Sequence, residues 1–233
     1  VGKNFKIKTN IKDRVMKAKI LLPIILVIVS FSAKAQVGLM IGPGLNYGFG
    51  SGQLFKTLNL GVEIPRDESA SIVIRAYASL KNTKMDSTFA EAIELGTSPS
   101  VMMVNVKNGV TQYGLQGGTR RYFVGSNFDY GFGLYGGTVF DFSFYKLSSK
   151  VTDPIDESAY RLQSSNSGSV FLLSFGLQGG VKKQFAFGTI FTDLSLSYAI
   201  VAAGSSKLSG DAGSQVSALN FGFTIGYRKD LFF

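Results

Sequence analysis

The side chains able to do ionic or acid–base chemistry here are carboxylates, guanidinium groups, amines and hydroxyls, because the chain has no His and no Cys. That excludes a Ser-His-Asp triad, a cysteine nucleophile, a disulfide framework and a Cys/His zinc site. Eight charged residues stand out because they interrupt apolar or Gly-rich stretches: Glu63, Arg75, Arg120, Asp129, Asp141, Lys182, Asp193 and Arg228. Such a set forms either a polar binding or proton site, or a structural network. The network is the expectation, since buried charges must be paired whatever else they do. Asp141 and Asp193 are the pair that general acid–base catalysis would use, but nothing in their spacing establishes that they approach each other. No catalytic residue, metal or cofactor is therefore expected, and the chain is not read as an enzyme. Two further segments carry signals. Thr88-Phe89-Ala90-Glu91 fits a capping box with Gly96 as a stop, which predicts a two-turn helix bearing Phe89, Ile93 and Leu95 as candidate interaction residues. Asp153-Pro154-Ile155-Asp156-Glu157 is acidic but lacks the spacing of a calcium loop, so a solvated loop is expected there.

The elements that would position these residues are strands. Val37, Leu39, Ile41, Leu45, Tyr47 and Phe49 alternate with Gly38, Met40, Gly42, Gly44, Asn46 and Gly48. A period of two marks a strand whose faces meet different surroundings. The same pattern recurs around 58–64, 72–80, 112–123, 128–144, 171–182, 190–200 and 219–228, making eight strands. All eight charged residues fall on the Gly-rich polar face. Most segments reach the ~9–11 residues that a tilted strand needs to cross a bilayer. Connections near 65–70, 124–127 and 184–187 are tight, while those near 50–56, 81–109, 146–168 and 204–215 are longer. Facing parity across the first tight turn pairs Glu63 with Val73 and sets Arg75 diagonal to Glu63. Across the second, Tyr122 faces Asp129 and Arg120 lies diagonal to it.

Residues 1–35 read as a leader. They carry eight of the cations and only Asp13 in opposition, which leaves about +2 of the total +9 for the rest and removes the case for nucleic-acid binding. Lys17 and Lys19 precede an apolar run from Ile20 to Phe31, and Ala33-Lys34-Ala35 then leads into Gln36. That is the layout of a cleaved secretory signal peptide over residues 16–35, with residues 1–15 an upstream extension and 36–233 the mature domain.

A soluble sandwich and a lipocalin-like barrel also alternate. The Gly-rich polar face, the strongly aromatic apolar face and the alternation of short turns with long loops favour a closed, up-and-down, eight-stranded antiparallel transmembrane β-barrel of the all-β class. From Gln36 to Phe233 the pattern resembles the eight-stranded outer-membrane barrel superfamily, including OmpX and the OmpA transmembrane domain. Its Gly-rich style is similar to the PorT-like outer membrane protein beta-barrel families. Their last strand ends in Phe, with apolar residues at alternate positions before it. Phe223, Ile225, Tyr227, Leu231 and Phe233 fit that pattern, while Lys229 departs from it. The resemblance implies a Gram-negative outer membrane, periplasmic termini and extracellular long loops. It also implies that Tyr227, Leu231 and Phe233 are read by the barrel-assembly machinery. The expected role is structural or interactive, through loops that meet outer-membrane lipids, lipopolysaccharide or an envelope protein partner. An accessory subunit of an envelope secretion or motility machine is the alternative, as is a narrow channel or carrier. Eight strands leave an interior that side chains just fill, so a wide porin-like pore is not expected.

Overall fold

The computed structural model describes residues 36–127, 131–156, 158–162, 167–204 and 216–231. The leader (1–15 and 16–35), Asp129 and Phe233 lie outside the described residues, as do Phe128 and Tyr130. The alternating segments form ten strands: β1 (Val37–Gly48), β2 (Gln53–Pro65), β3 (Ala70–Ser79), β4 (Asn82–Ala92), β5 (Val101–Val124), β6 (Gly131–Val151), β7 (Tyr160–Leu162), β8 (Gly168–Phe185), β9 (Gly188–Gly204) and β10 (Leu219–Leu231). Eight of them close a ring in the order β1, β2, β3, β5, β6, β8, β9, β10, and β10 pairs back onto β1. Every pairing in the ring is antiparallel. Closure matters because an open edge would leave a row of backbone donors and acceptors unpaired.

The remaining two strands extend the barrel at one end. Ala78 faces Tyr113 and Asn82 faces Val110, so β4 follows β3 along the same long strand β5 after one irregular step. β6 runs with β5 as far as the Val106–Val151 pair, and β7 adds to the free edge of β4. The connections at 81–109 and 146–168 are thus largely sheet rather than loop. The helix expected from the capping box is a strand, with Phe89 opposite Met103 and Glu91 opposite Val101. An isolated two-turn helix is marginal in water, whereas pairing with β5 satisfies the backbone of the whole segment. Two connections also differ from expectation. The β1–β2 turn is tight, spanning only 49–52, and the β5–β6 connection runs from 125 to 130. The longer connection changes the register, so Tyr122 faces Tyr135 instead of Asp129.

Glycine on the inner face makes room for large side chains. A Cβ at Gly114 would overlap the Tyr77 ring, one at Gly226 the Phe191 ring, and one at Gly38 the Arg228 stem. The interior is therefore filled by side chains from neighbouring strands rather than left open.

Candidate functional site

The inner face carries the chemistry, in three levels counted from the end where the strands are joined by the 66–69, 125–130 and 186–187 connections. The lowest is ionic. Glu63 on β2 accepts from Arg120 on β5 at 2.7 Å and from Arg228 on β10 at 2.9 Å. It also accepts from Ser71 at 2.6 Å and from Tyr122 at 2.8 Å. Asp193 on β9 accepts from Arg120 at 2.5 Å, from Arg75 at 2.6 Å and from the Tyr135 hydroxyl at 2.5 Å. Arg228 pairs in addition with Asp230 at 2.8 Å. The Arg120 guanidinium lies over the Tyr135 ring, 4.5 Å from its centre. Lys182 donates to the Asn127 carbonyl and stands over the Tyr122 ring. Four cations and the carboxylates of Glu63, Asp141, Asp193 and Asp230 thus lie inside the barrel, and the ion pairs join Arg75, Arg120 and Arg228 to Glu63, Asp193 and Asp230. Stacking and multiple hydrogen bonds are what make burial of guanidinium groups tolerable.

The middle level is neutral apart from Asp141. Its carboxylate accepts from Ser143 at 2.5 Å and from Tyr77 at 3.1 Å. Gln112 donates to Tyr145 at 2.8 Å and receives a bond from Asn46 on the far wall at 3.3 Å. Above this, Phe55, Val110, Tyr145, Leu147, Val170 and Leu172 pack into an apolar cluster. The recess between Met40, Gly61, Arg75 and Phe191 has no room for a water molecule. Side chains cross the lumen at each level.

Of the residues singled out from the sequence, Glu63, Arg75, Arg120, Asp141, Lys182, Asp193 and Arg228 all point into the barrel and are buried. Glu63 does face Val73. Arg75, however, does not turn to its diagonal neighbour Glu63; it reaches Asp193 on the opposite wall. Asp141 and Asp193 sit in separate hydrogen-bonding sets, so they make no carboxylate pair. Tyr77, Tyr122, Tyr135 and Asp230 were missed. Their parity on the Gly-rich face was the available signal.

The upper sheet carries the surface candidates. Phe89 is exposed on β4, and Ile93 and Leu95 are exposed in the turn that follows. Ile93 lines a groove of about 450 Å³ together with Lys150, Ile155, Tyr160, Arg161 and Leu162. In the acidic segment, Asp153 accepts from the Asn105 amide at 2.7 Å. The hydroxyl and amide of Ser158 hold the Asp156 carboxyl below the usual carboxylate range. No cluster of three potential metal-ligating residues occurs among the described residues. At the other end, Tyr227 stacks on Phe187 and donates to its carbonyl at 2.5 Å, and Leu231 faces Val37.

No family model and no curated protein matches the chain. Among solved structures, it is similar to Neisserial surface protein A at 9% identity, with a TM-score of 0.46 over 83% of this chain and 95% of that one. A major outer membrane protein from Thermus thermophilus gives 9% identity and 0.48 over 84% and 99%. The attachment invasion locus protein of Yersinia pestis gives 11% and 0.41 over 84% and 99%. The assignment of fold stands on the strand pairings of this chain: it is a closed eight-stranded antiparallel β-barrel with a packed, charged interior.

Proposed function

We propose that the protein is a small outer-membrane barrel with a structural or interaction role, closed to solutes, whose upper sheet is its contact surface outside the cell. The observation that carries this is an inverted distribution of polarity. Seven charged side chains inside the ring are at most 6% exposed, while Leu39, Ile41, Leu58, Leu60, Phe140, Phe142 and Leu196 on the outside are 44–54% exposed. A water-soluble barrel would expose the first set and bury the second. Lipid reverses both preferences. The apolar wall to which these outer residues belong is also far larger than a soluble monomer leaves uncovered.

On this reading, outer-membrane lipids and lipopolysaccharide meet the wall, and the assembly machinery reads Tyr227 and Leu231 on the last strand. The upper sheet with Phe89, Ile93 and Leu95 would then meet an envelope protein or surface ligand. The channel reading has less support, because ion pairs and the apolar cluster cross the lumen. The absence of His and Cys and the full pairing of Asp193 favour a non-enzymatic role. The test is fractionation of expressing cells, followed by gel electrophoresis with and without boiling. The protein should be recovered in outer membranes and migrate differently when unheated, since a closed barrel resists detergent. Recovery in the soluble periplasmic fraction without detergent would refute the proposal.

A further inference from the structure

The outer wall is not uniform. Along β10, β1, β2 and β3, the outward positions run from Leu39 to Phe49, Leu54 to Ile64, Ile72 to Leu80 and Leu219 to Leu231. They are apolar with two exceptions, Lys229 near one end and Lys56 near the other. Lys56 lies one outward position in from the β1–β2 turn. It sits beside Leu45 across the β1–β2 pairing, its backbone carbonyl accepts from Leu80, and Leu54, Tyr47 and Phe49 continue the apolar face beyond it. No carboxylate shares this face, and Lys56 makes no ion pair among the described residues. Lys56 heads a groove of about 610 Å³ in the wall, whose sides are Leu45, Leu58, Leu80, Phe223 and Ile225. The groove exists because Pro43 and Ala78 are small where their neighbours are large.

A cation inside an apolar, lipid-facing wall is destabilising unless its head reaches an anion or water. A groove of apolar side chains below such a cation fits an acyl chain, and the ammonium above fits a phosphate. We infer that this groove is a specific site for a phosphorylated lipid, with an acyl chain in the groove beside Leu58 and the headgroup phosphate on the Lys56 ammonium. The inference rests on the membrane reading given above and adds a discrete lipid to it. The occupant is a lipid phosphate rather than free phosphate, because the apolar groove contributes nothing to holding an inorganic ion.

The experiment uses the purified, folded full-length protein in detergent, titrated with phosphatidylglycerol or with diacylglycerol, which has the same chains and no phosphate, with bound lipid counted by native mass spectrometry. One phosphatidylglycerol should bind about tenfold more tightly than diacylglycerol, the scale of one charge-assisted hydrogen bond. Lys56→Gln should abolish that preference. Ala78→Trp, which fills the groove from its outer side, should weaken both lipids, and Lys229→Gln should change neither. The gel shift on boiling verifies that each variant is folded. Equal binding of the two lipids by the parent chain would overturn the site, as would a preference that survives Lys56→Gln or displacement of the lipid by millimolar inorganic phosphate. A folded chain that stays soluble without detergent and binds neither lipid would instead overturn the membrane reading itself.

Discussion

Replacing Arg120 by Met tests whether the ionic level holds the barrel together. Met keeps the aliphatic stem and removes the guanidinium, which is 1% exposed and bridges Glu63 at 2.7 Å and Asp193 at 2.5 Å. Removing one partner of a buried pair costs ~3–5 kcal/mol, because the other charge stays behind. Here each carboxylate keeps other donors: Glu63 retains Arg228, Ser71 and Tyr122, and Asp193 retains Arg75 and Tyr135. That places the expected loss near the lower end, ~3 kcal/mol. The interior would then hold Arg75, Lys182 and Arg228 against four carboxylates, so adding Asp193→Asn should recover part of the loss. Non-additivity on the order of 1–3 kcal/mol is expected for groups in one network. The assay is urea unfolding of the barrel in lipid vesicles, followed by circular dichroism and by the gel shift on boiling. Arg121→Met, one residue along and pointing outward, is the control and should change stability by no more than ~0.5 kcal/mol. If Arg120→Met and Arg121→Met were indistinguishable, the network would not be what stabilises the lumen.

Other consequences are simpler to check. Phe140→Arg, at the middle of the outer wall, should cost ~2–4 kcal/mol in folded yield or unfolding free energy. Gln116→Arg, opposite Asp141 on the inner face, should cost less. An epitope placed after Thr97, in the turn between β4 and β5, should be detected on intact cells, whereas one at Ser126 should appear only after permeabilisation. Detection in the reverse order would invert the topology. In planar bilayers the parent chain should give no steady conductance, because Phe55, Val110, Tyr145, Leu147, Val170 and Leu172 pack across the lumen. At the 66–69 turn, the Ser69 amide and hydroxyl hold the Asp67 carboxyl below its usual range. Ionised Asp67 therefore supports the turn above the ordinary carboxylate pKa, and that support is lost as pH falls through the depressed value. Ser69→Ala should move the Asp67 titration, read by NMR, upward.

The ring was legible in the sequence because each of its strands separates two unlike surroundings, and a period of two records that directly. Phe140, Phe142 and Phe144 against Asp141, Ser143 and Tyr145 is the clearest instance. The upper sheet was not legible for the same reason in reverse. From Thr83 to Ser87 both faces of β4 are exposed, so nothing enforces alternation and the local capping-box signal dominated. Which charge meets which was also hidden. Parity places Arg75 and Asp193 on the inner face, but β3 and β9 stand across the ring from each other, and only closure brings them to 2.6 Å. The register of Tyr122 turned on the length of one connection, which composition alone does not specify.

The central claim is that the ring is inside out relative to a soluble barrel, with lipid against its apolar face. Because the chain has no Cys, single cysteines for spin labelling can be introduced along β6 without removing any. Labels at Thr138, Phe140, Phe142 and Phe144 in reconstituted vesicles should collide freely with dissolved oxygen and poorly with a polar nickel reagent. Labels at Val139 and Ser143 should be immobile and shielded from both. Oxygen accessibility without a two-residue period, or nickel accessibility at Phe140 and Phe142, would place water against the aromatic face and contradict the account.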